Sequence, residues 1–201
     1  KKAIKINPNN HVALNNLGNI YSKNNQIREA IKYYQKSSTA NPKYSIPVFN
    51  LATIFEQTGK LNEAKKFYLK SIKLDNLKFE YYYKLNRIED NIIKDSDIEF
   101  IRKQLETNKK LSDLSKSNGY FLLAQNERDK KNIIKELDFL SKGHQYFYKS
   151  NINNKLIKKY WLETIPNILT NIKFTGSNKI KNNISPIFVI GLPRSGTTLV
   201  E

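Results

Sequence analysis

The chain has 201 residues, 26% of them charged and 39% hydrophobic, a balance that suits one or two soluble domains and excludes a disordered tail. Lys and Arg number 35 against 18 Asp and Glu, a formal net charge of +17. Such a charge invites an anionic partner, but the excess is mostly Lys, is spread along the chain and accompanies abundant Asn and Ile; the joint excess reads as the composition of an AT-rich genome, with a polyanion surface as the alternative, and no nucleic-acid partner is expected.

Cysteine is absent, which excludes a disulfide framework and a thiolate metal site. His11 and His144 lie far apart in polar contexts and read as surface residues, so no metal is expected. No apolar run approaches the ~20 residues of a membrane span, and no signal peptide is expected; the expected location is the cytoplasm. The opening stretch "KKAIKINPNN" reads as the end of a helix without an initiator Met, so both ends look cut from a longer protein.

The first elements repeat. "HVALNNLGNIYSKNNQIREAIKYYQKSSTANP" aligns without a gap on "SIPVFNLATIFEQTGKLNEAKKFYLKSIKLDN", 34 residues on. Leu17 matches Leu51, Gly18 matches Ala52, Tyr21 matches Phe55, Ala30 matches Ala64 and Tyr34 matches Tyr68. Leu17, Gly18 and Tyr21 share one helical face. Gly18 or Ala52 admits the partner helix from one side and Ala30 or Ala64 from the other. Asn25 and Gly59 fall between the helices, where a left-handed backbone is easiest for Asn or Gly. This pattern resembles the tetratricopeptide repeat, a helical hairpin that stacks into a solenoid. Repeats are expected over residues 1–78, with residues 1–10 as the tail of a preceding one.

A further step of 34 finds Tyr82 and Leu85, but then Asn86, Glu89 and Ile98 where small and aromatic residues belong. Residues 79–172 are therefore expected as a degenerate, repeat-like helical region. Within it, "FEYYYKL" reads as packing against the next helix more readily than as a ligand face. "DSDIEFIRKQLE" has Asp95, Ser96 or Asp97 as candidate N-caps. "GYFLLAQNERDKKNIIKELDFLSKGHQYFYK" reads as another hairpin, and "KLIKKYWLETIPNIL" as a last amphipathic helix with Trp161 at a junction. The polar stretch 173–185 reads as a linker.

Residues 186–201, "PIFVIGLPRSGTTLVE", form the last element. Ile187 to Ile190 read as a buried parallel strand. Gly191 opens a turn, Gly196 lets the backbone approach a ligand, and Thr197 and Thr198 begin a helix. Strand, glycine turn and helix start make an anion-binding arrangement, because unpaired N–H groups and the helix dipole converge there. Ser195, Thr197 and Thr198 supply hydroxyl donors, and Arg194 a planar fork. The glycine spacing is that of a P-loop, but Thr197 stands where a nucleoside triphosphatase needs lysine.

This stretch resembles the 5′-phosphosulfate-binding loop of sulfotransferases that use 3′-phosphoadenosine 5′-phosphosulfate (PAPS), in particular the tyrosylprotein-sulfotransferase-like branch, whose bacterial members often carry tetratricopeptide repeats ahead of the transferase domain. The resemblance implies a fold that is mainly α, a helical-hairpin solenoid followed by the first strand, loop and helix of an α/β P-loop-like sulfotransferase domain. It implies that Arg194, Ser195, Gly196, Thr197 and Thr198 hold PAPS without a metal, and that Arg194 stabilises charge during sulfuryl transfer to an acceptor hydroxyl, such as protein tyrosine. The general base and 3′-phosphate site are then expected beyond residue 201, so that this stretch of chain alone is inactive. The repeats are expected to bind a protein or peptide partner, or a glycan acceptor. The alternatives are an interaction module without catalysis and a nucleotide kinase with a variant P-loop.

Overall fold

The computed structural model describes residues 7–89 and 92–150, which form eight α-helices and no strand among the described residues. All of them belong to one compact unit, Lys1–Lys158. The expected repeat tail before residue 7, the Trp161 helix, the 173–185 linker and the strand-loop-helix of residues 186–201 lie outside the described residues.

The helices are α1 (His11–Lys23), α2 (Ile27–Ala40), α3 (Ser45–Gln57), α4 (Leu61–Leu74), α5 (Phe79–Asn86), α6 (Asp95–Thr107), α7 (Asp113–Asp129) and α8 (Ile133–Ser150). Helices α1 and α2, α3 and α4, and α7 and α8 pair as hairpins; α2 packs on α3, α4 on α5, and α7 on both α5 and α6. The order is that of a tetratricopeptide-like solenoid, in which each hairpin buries the face that its neighbour cannot bury alone.

The two N-terminal hairpins close by the same means. Asn10 starts α1 by accepting from the Ala13 amide at 2.9 Å. At the far end of that helix Asn25 takes φ 57°, and Gly59 takes φ 76° at the matching place after α3. This left-handed residue lets the next amide fold back: Gln26 N donates to Tyr21 O and Lys60 N to Phe55 O, both at 2.9 Å. The chain then re-enters a helix with no side-chain cap on α2 or α4.

The crossing points carry small residues, as the period requires. Ala30, Ala52 and Ala64 are wholly buried. A Cβ added to Gly18 would stand 2.5 Å from Tyr34 Cε1, so this glycine is set by the closeness of α2. Ala30 and Tyr34 pack with Leu51 and Ile54 in one apolar cluster, and Ala52, Ala64 and Tyr68 with Leu85 in the next. A third cluster joins Phe79 and Tyr82 of α5 to Ile101 of α6 and Leu122 of α7. Tyr81 and Tyr82 are buried, so "FEYYYKL" packs inward as expected.

The period breaks in the third hairpin. Helix α5 stops at Asn86, five residues short of the place that matches the ends of α1 and α3. Helix α6 begins at Asp95 with Lys94, not Asp95, Ser96 or Asp97, as its N-cap residue. Asp97 sits in the first turn and its carboxylate accepts from the Lys94 amide at 3.2 Å. That reach back places the boundary ahead of all three expected caps.

The pattern then resumes four residues out of step. Lys131, at φ 58°, repeats the left-handed turn of Asn25 between α7 and α8, with Asn132 N donating to Glu127 O at 2.9 Å. In that shifted register Leu123 and Ala124, both buried, stand where Leu17 and Gly18 stand in α1. The hydroxyl tie across the hairpin is also kept, but reversed. Ser37 Oγ donates to His11 O at 2.7 Å in the first hairpin, whereas Ser117 Oγ donates to Gly143 O at 2.9 Å in the last. Helix α8 leaves Ile133, Ile134 and Leu137 exposed.

The crossings give a test of this register. Ala30→Leu and Ala64→Leu each force three extra carbons into a filled crossing, and each should lower stability by roughly 1–3 kcal/mol. Thermal melts of both variants measure this, and melts that match the parent would show that the alanines are misplaced.

Candidate functional site

One face of α1 and α3 carries a connected set of amides. Asn15 and Asn19 are one helical turn apart on α1, and Asn50 faces them from α3. Asn50 Nδ2 donates to Asn15 Oδ1 at 2.9 Å and to Asn19 Oδ1 at 3.1 Å. Tyr34 of α2 donates its hydroxyl to the same Asn19 Oδ1 at 2.8 Å. Burial is the main cause that raises the Tyr34 phenol above its ordinary range, so it stays a donor across the physiological range.

These bonds occupy both amide protons of Asn50 and the carbonyl oxygen of Asn19. Asn50 Oδ1 and Asn19 Nδ2 take no part in these bonds, which leaves one acceptor and one donor in the set. Neither is shut off from solvent, and both residues are only half-buried. The N–H and C=O of a peptide group offer the complementary pair.

The next step along the repeats keeps the positions and changes the chemistry. Tyr68, one period after Tyr34, donates to Glu56 Oε2 at 2.5 Å and contacts Thr53 Oγ1 at 3.3 Å; Thr53 stands one period after Asn19. Lys84, one period after Asn50, lies 3.5 Å from the same Glu56 oxygen. An amide network between α1 and α3 thus becomes an ion pair between α3 and α5. Burial, then the hydrogen bond to Glu56, raise the Tyr68 phenol well above its ordinary range. Beyond Lys84, Asn86 Nδ2 donates to Gln125 Oε1 of α7 at 3.0 Å, and Tyr83 meets Phe121 with ring centroids 6.1 Å apart.

The residues expected to bind PAPS, Arg194, Ser195, Gly196, Thr197 and Thr198, lie outside the described residues. Among the described residues no group of three His, Cys, Asp or Glu side chains is placed to hold a metal, and no helix is long and apolar enough to cross a membrane. His11 sits edge-on to Tyr44 and 3.3 Å from Asn41 Nδ2, a packing role. The amide set was not singled out from the sequence. Its one signal there is the four-residue spacing of Asn15 and Asn19 beside the repeat's apolar positions on α1.

Two segments, residues 1–32 and residues 48–76, match tetratricopeptide-repeat family models. No curated protein matches the chain. Among solved structures it is similar to a crystal structure of MamA, at 19% identity over 74% of this chain and 85% of that one, with a TM-score of 0.48. It is also similar to YrrB, described as a TPR protein with an unusual peptide-binding site, at 16% identity over 79% of this chain and 96% of that one, with a TM-score of 0.43.

Tyr68 offers a direct check of the ion-pair step. Tyr68→Phe removes the donor to Glu56 and should cost about 1 kcal/mol in urea denaturation, whereas Thr53→Ala, which gives up only the longer contact, should cost less. The two matched segments, with the hairpins α1–α2 and α3–α4 built on one 34-residue period, are tetratricopeptide repeats.

Proposed function

We propose that the described helices form a protein-interaction module that holds an extended peptide segment of a partner against α1 and α3. The observation that carries this reading is the amide set itself, in which the bonds to Asn15 and Tyr34 hold Asn50 and Asn19 and leave Asn50 Oδ1 and Asn19 Nδ2 over. Preorganised amides of this kind bind backbone without regard to sequence. Lys84, Glu56 and Tyr83 beside them supply side-chain preference. A protein or peptide partner fits this chemistry better than a glycan, since the pair matches one peptide group.

Peptides selected on the chain from a random display library give the probe. By calorimetry, Asn50→Ala and Asn19→Ala should each weaken a selected peptide by about tenfold, the loss of one or two hydrogen bonds. Circular dichroism checks that the variants remain folded. Folded variants that bind like the parent would sink the amide reading.

A second reading concerns residues 186–201 and rests on the sequence "PRSGTTL". In it the parent protein transfers a sulfuryl group from PAPS to an acceptor hydroxyl, the repeats present a protein acceptor, and Arg194, Ser195, Gly196, Thr197 and Thr198 grip the 5′-phosphosulfate. Charge moves onto the bridging oxygen as the sulfuryl group leaves, so the Arg194 bonds strengthen in the transition state. In a chain that carries the rest of the transferase, Arg194→Ala should lower single-turnover transfer by roughly 10²-fold. Arg194→Lys keeps the charge but loses the fork and should still be impaired. Transfer and PAPS affinity equal to the parent's in Arg194→Ala would leave the interaction module as the whole function.

A further inference from the structure

Helices α2 and α4, the second helices of the two repeats, each pack on α3 and leave an open groove between them. Its volume is about 350 Å³, within the range of ligand sites.

The floor of the groove is apolar. It consists of Leu51 of α3, Phe67 of α4 and Pro42 of the connection between α2 and α3. Leu51 is sealed in the core, whereas Phe67 is only half-buried. The Phe67 ring stacks on Phe55 with centroids 5.3 Å apart, so it is fixed in place. Pro42 has no N–H to offer. The Thr39 hydroxyl on the rim donates to Gln35 O at 3.0 Å and is spent there. A small polar molecule finds few fixed partners here, while an apolar group gains by covering Phe67 and Pro42.

The rim is basic. Lys70 of α4 lines the groove and has no ion pair among the described residues. Lys43 directly follows Pro42. Exposed Lys32 and Lys36 of α2 are matched one period on by exposed Lys66 and Lys70 of α4. The acids of these two helices, Glu29 and Glu63, lie in the first turns, whereas the groove opens beside the later ones. Asp75, just past α4, turns its carboxylate to the Leu77 amide at 3.2 Å. The negative end of the α2 dipole, roughly half a charge, is outweighed by Lys43 and Lys70. The field at the mouth of the groove is therefore positive.

Charge alone carries little affinity in such a place, because ion pairs between exposed groups contribute little. An apolar anchor supplies the affinity, and the lysines select what flanks it. We infer that this groove is an interaction surface for an acidic segment of a partner protein, which seats one large apolar side chain on Phe67 and Pro42 and sets carboxylates beside the rim lysines. The surface uses none of the amides of α1 and α3, so it stands or falls apart from the reading built on them.

The probe is acetyl-Glu-Glu-Phe-Glu-Glu-amide. It is titrated into the ¹⁵N-labelled chain and followed by the Gln35 side-chain amide and the Lys70 backbone amide. One control peptide replaces its Phe by Ala, and the other replaces its Glu by Gln. Each control should bind more weakly than the probe by about tenfold or more. Lys70→Glu, at an exposed position, should weaken the probe several-fold. Thr39→Trp, also at an exposed position, lays a ring over the floor and should weaken it at least as much. Circular dichroism checks that both variants remain folded. A short oligothymidylate, the rival polyanion, should shift these signals less than the probe does. Equal binding of the probe and its Ala control, tighter binding of oligothymidylate than of the probe, or full binding by folded Lys70→Glu and Thr39→Trp would overturn the inference. So would shifts confined to the Asn19 and Asn50 amides, or no shift at about 5 mM probe.

Discussion

The fold depends on how closely two helices can approach at a crossing. In the first hairpin the backbone of Gly18 lies against the ring of Tyr34, with no room for a Cβ. In the second, Ala52 and Ala64 are wholly buried and pack with Tyr68. Each crossing needs a small residue on one helix and a ring on the other, and the rings in turn reach through to the polar face. Tyr34 and Tyr68 pack in the core along their length and place their hydroxyls among Asn19, Thr53 and Glu56. The candidate binding face is therefore held by the same two side chains that fill the core. Displacing either ring at its base would move a hydroxyl at its tip.

Much of this was legible in the sequence because a strict period converts position into contact. The 34-residue alignment located Ala30, Ala64, Asn25 and Gly59, and each stands as the period requires. The loss of the pattern after Leu85 was also visible, and helix α5 ends one residue later. What was not visible had no periodic signature. The resumption in α7 and α8 is displaced by four residues, and Lys131 takes the left-handed turn where Asn or Gly would have signalled it. The start of α6 was misjudged because three polar residues in a row each resemble a cap. Lys94 stands at the cap instead, a boundary set by the reach of the Asp97 side chain, not by residue type.

The polar face illustrates a different limit. Asn15, Asn19 and Asn50 are ordinary surface residues in sequence terms, and Asn is common throughout this chain. They become a unit only because stacking sets α3 against α1 at hydrogen-bond distance. The following step shows how little sequence likeness that needs. Lys84 and Glu56 span the same gap with opposite charges, and Asn86 and Gln125 do so again with amides. The cross-helix link is thus repeated while its chemistry alternates along the array.

The shortness of α5 also bears on how the array comes apart. Stacked repeats share stability only with their neighbours, so the array is as cooperative as its weakest joint. Between the second hairpin and the last, that joint is two turns of helix. It is held by Phe79, Tyr81, Tyr82 and Leu85. Local opening follows such short joints, since few helical hydrogen bonds must be given up there. A chain pulled from its ends, or nicked by a protease, would give way at α5 and leave α1–α4 as one intact block, because the tyrosine ties that knit those four helices lie wholly on the near side of the seam.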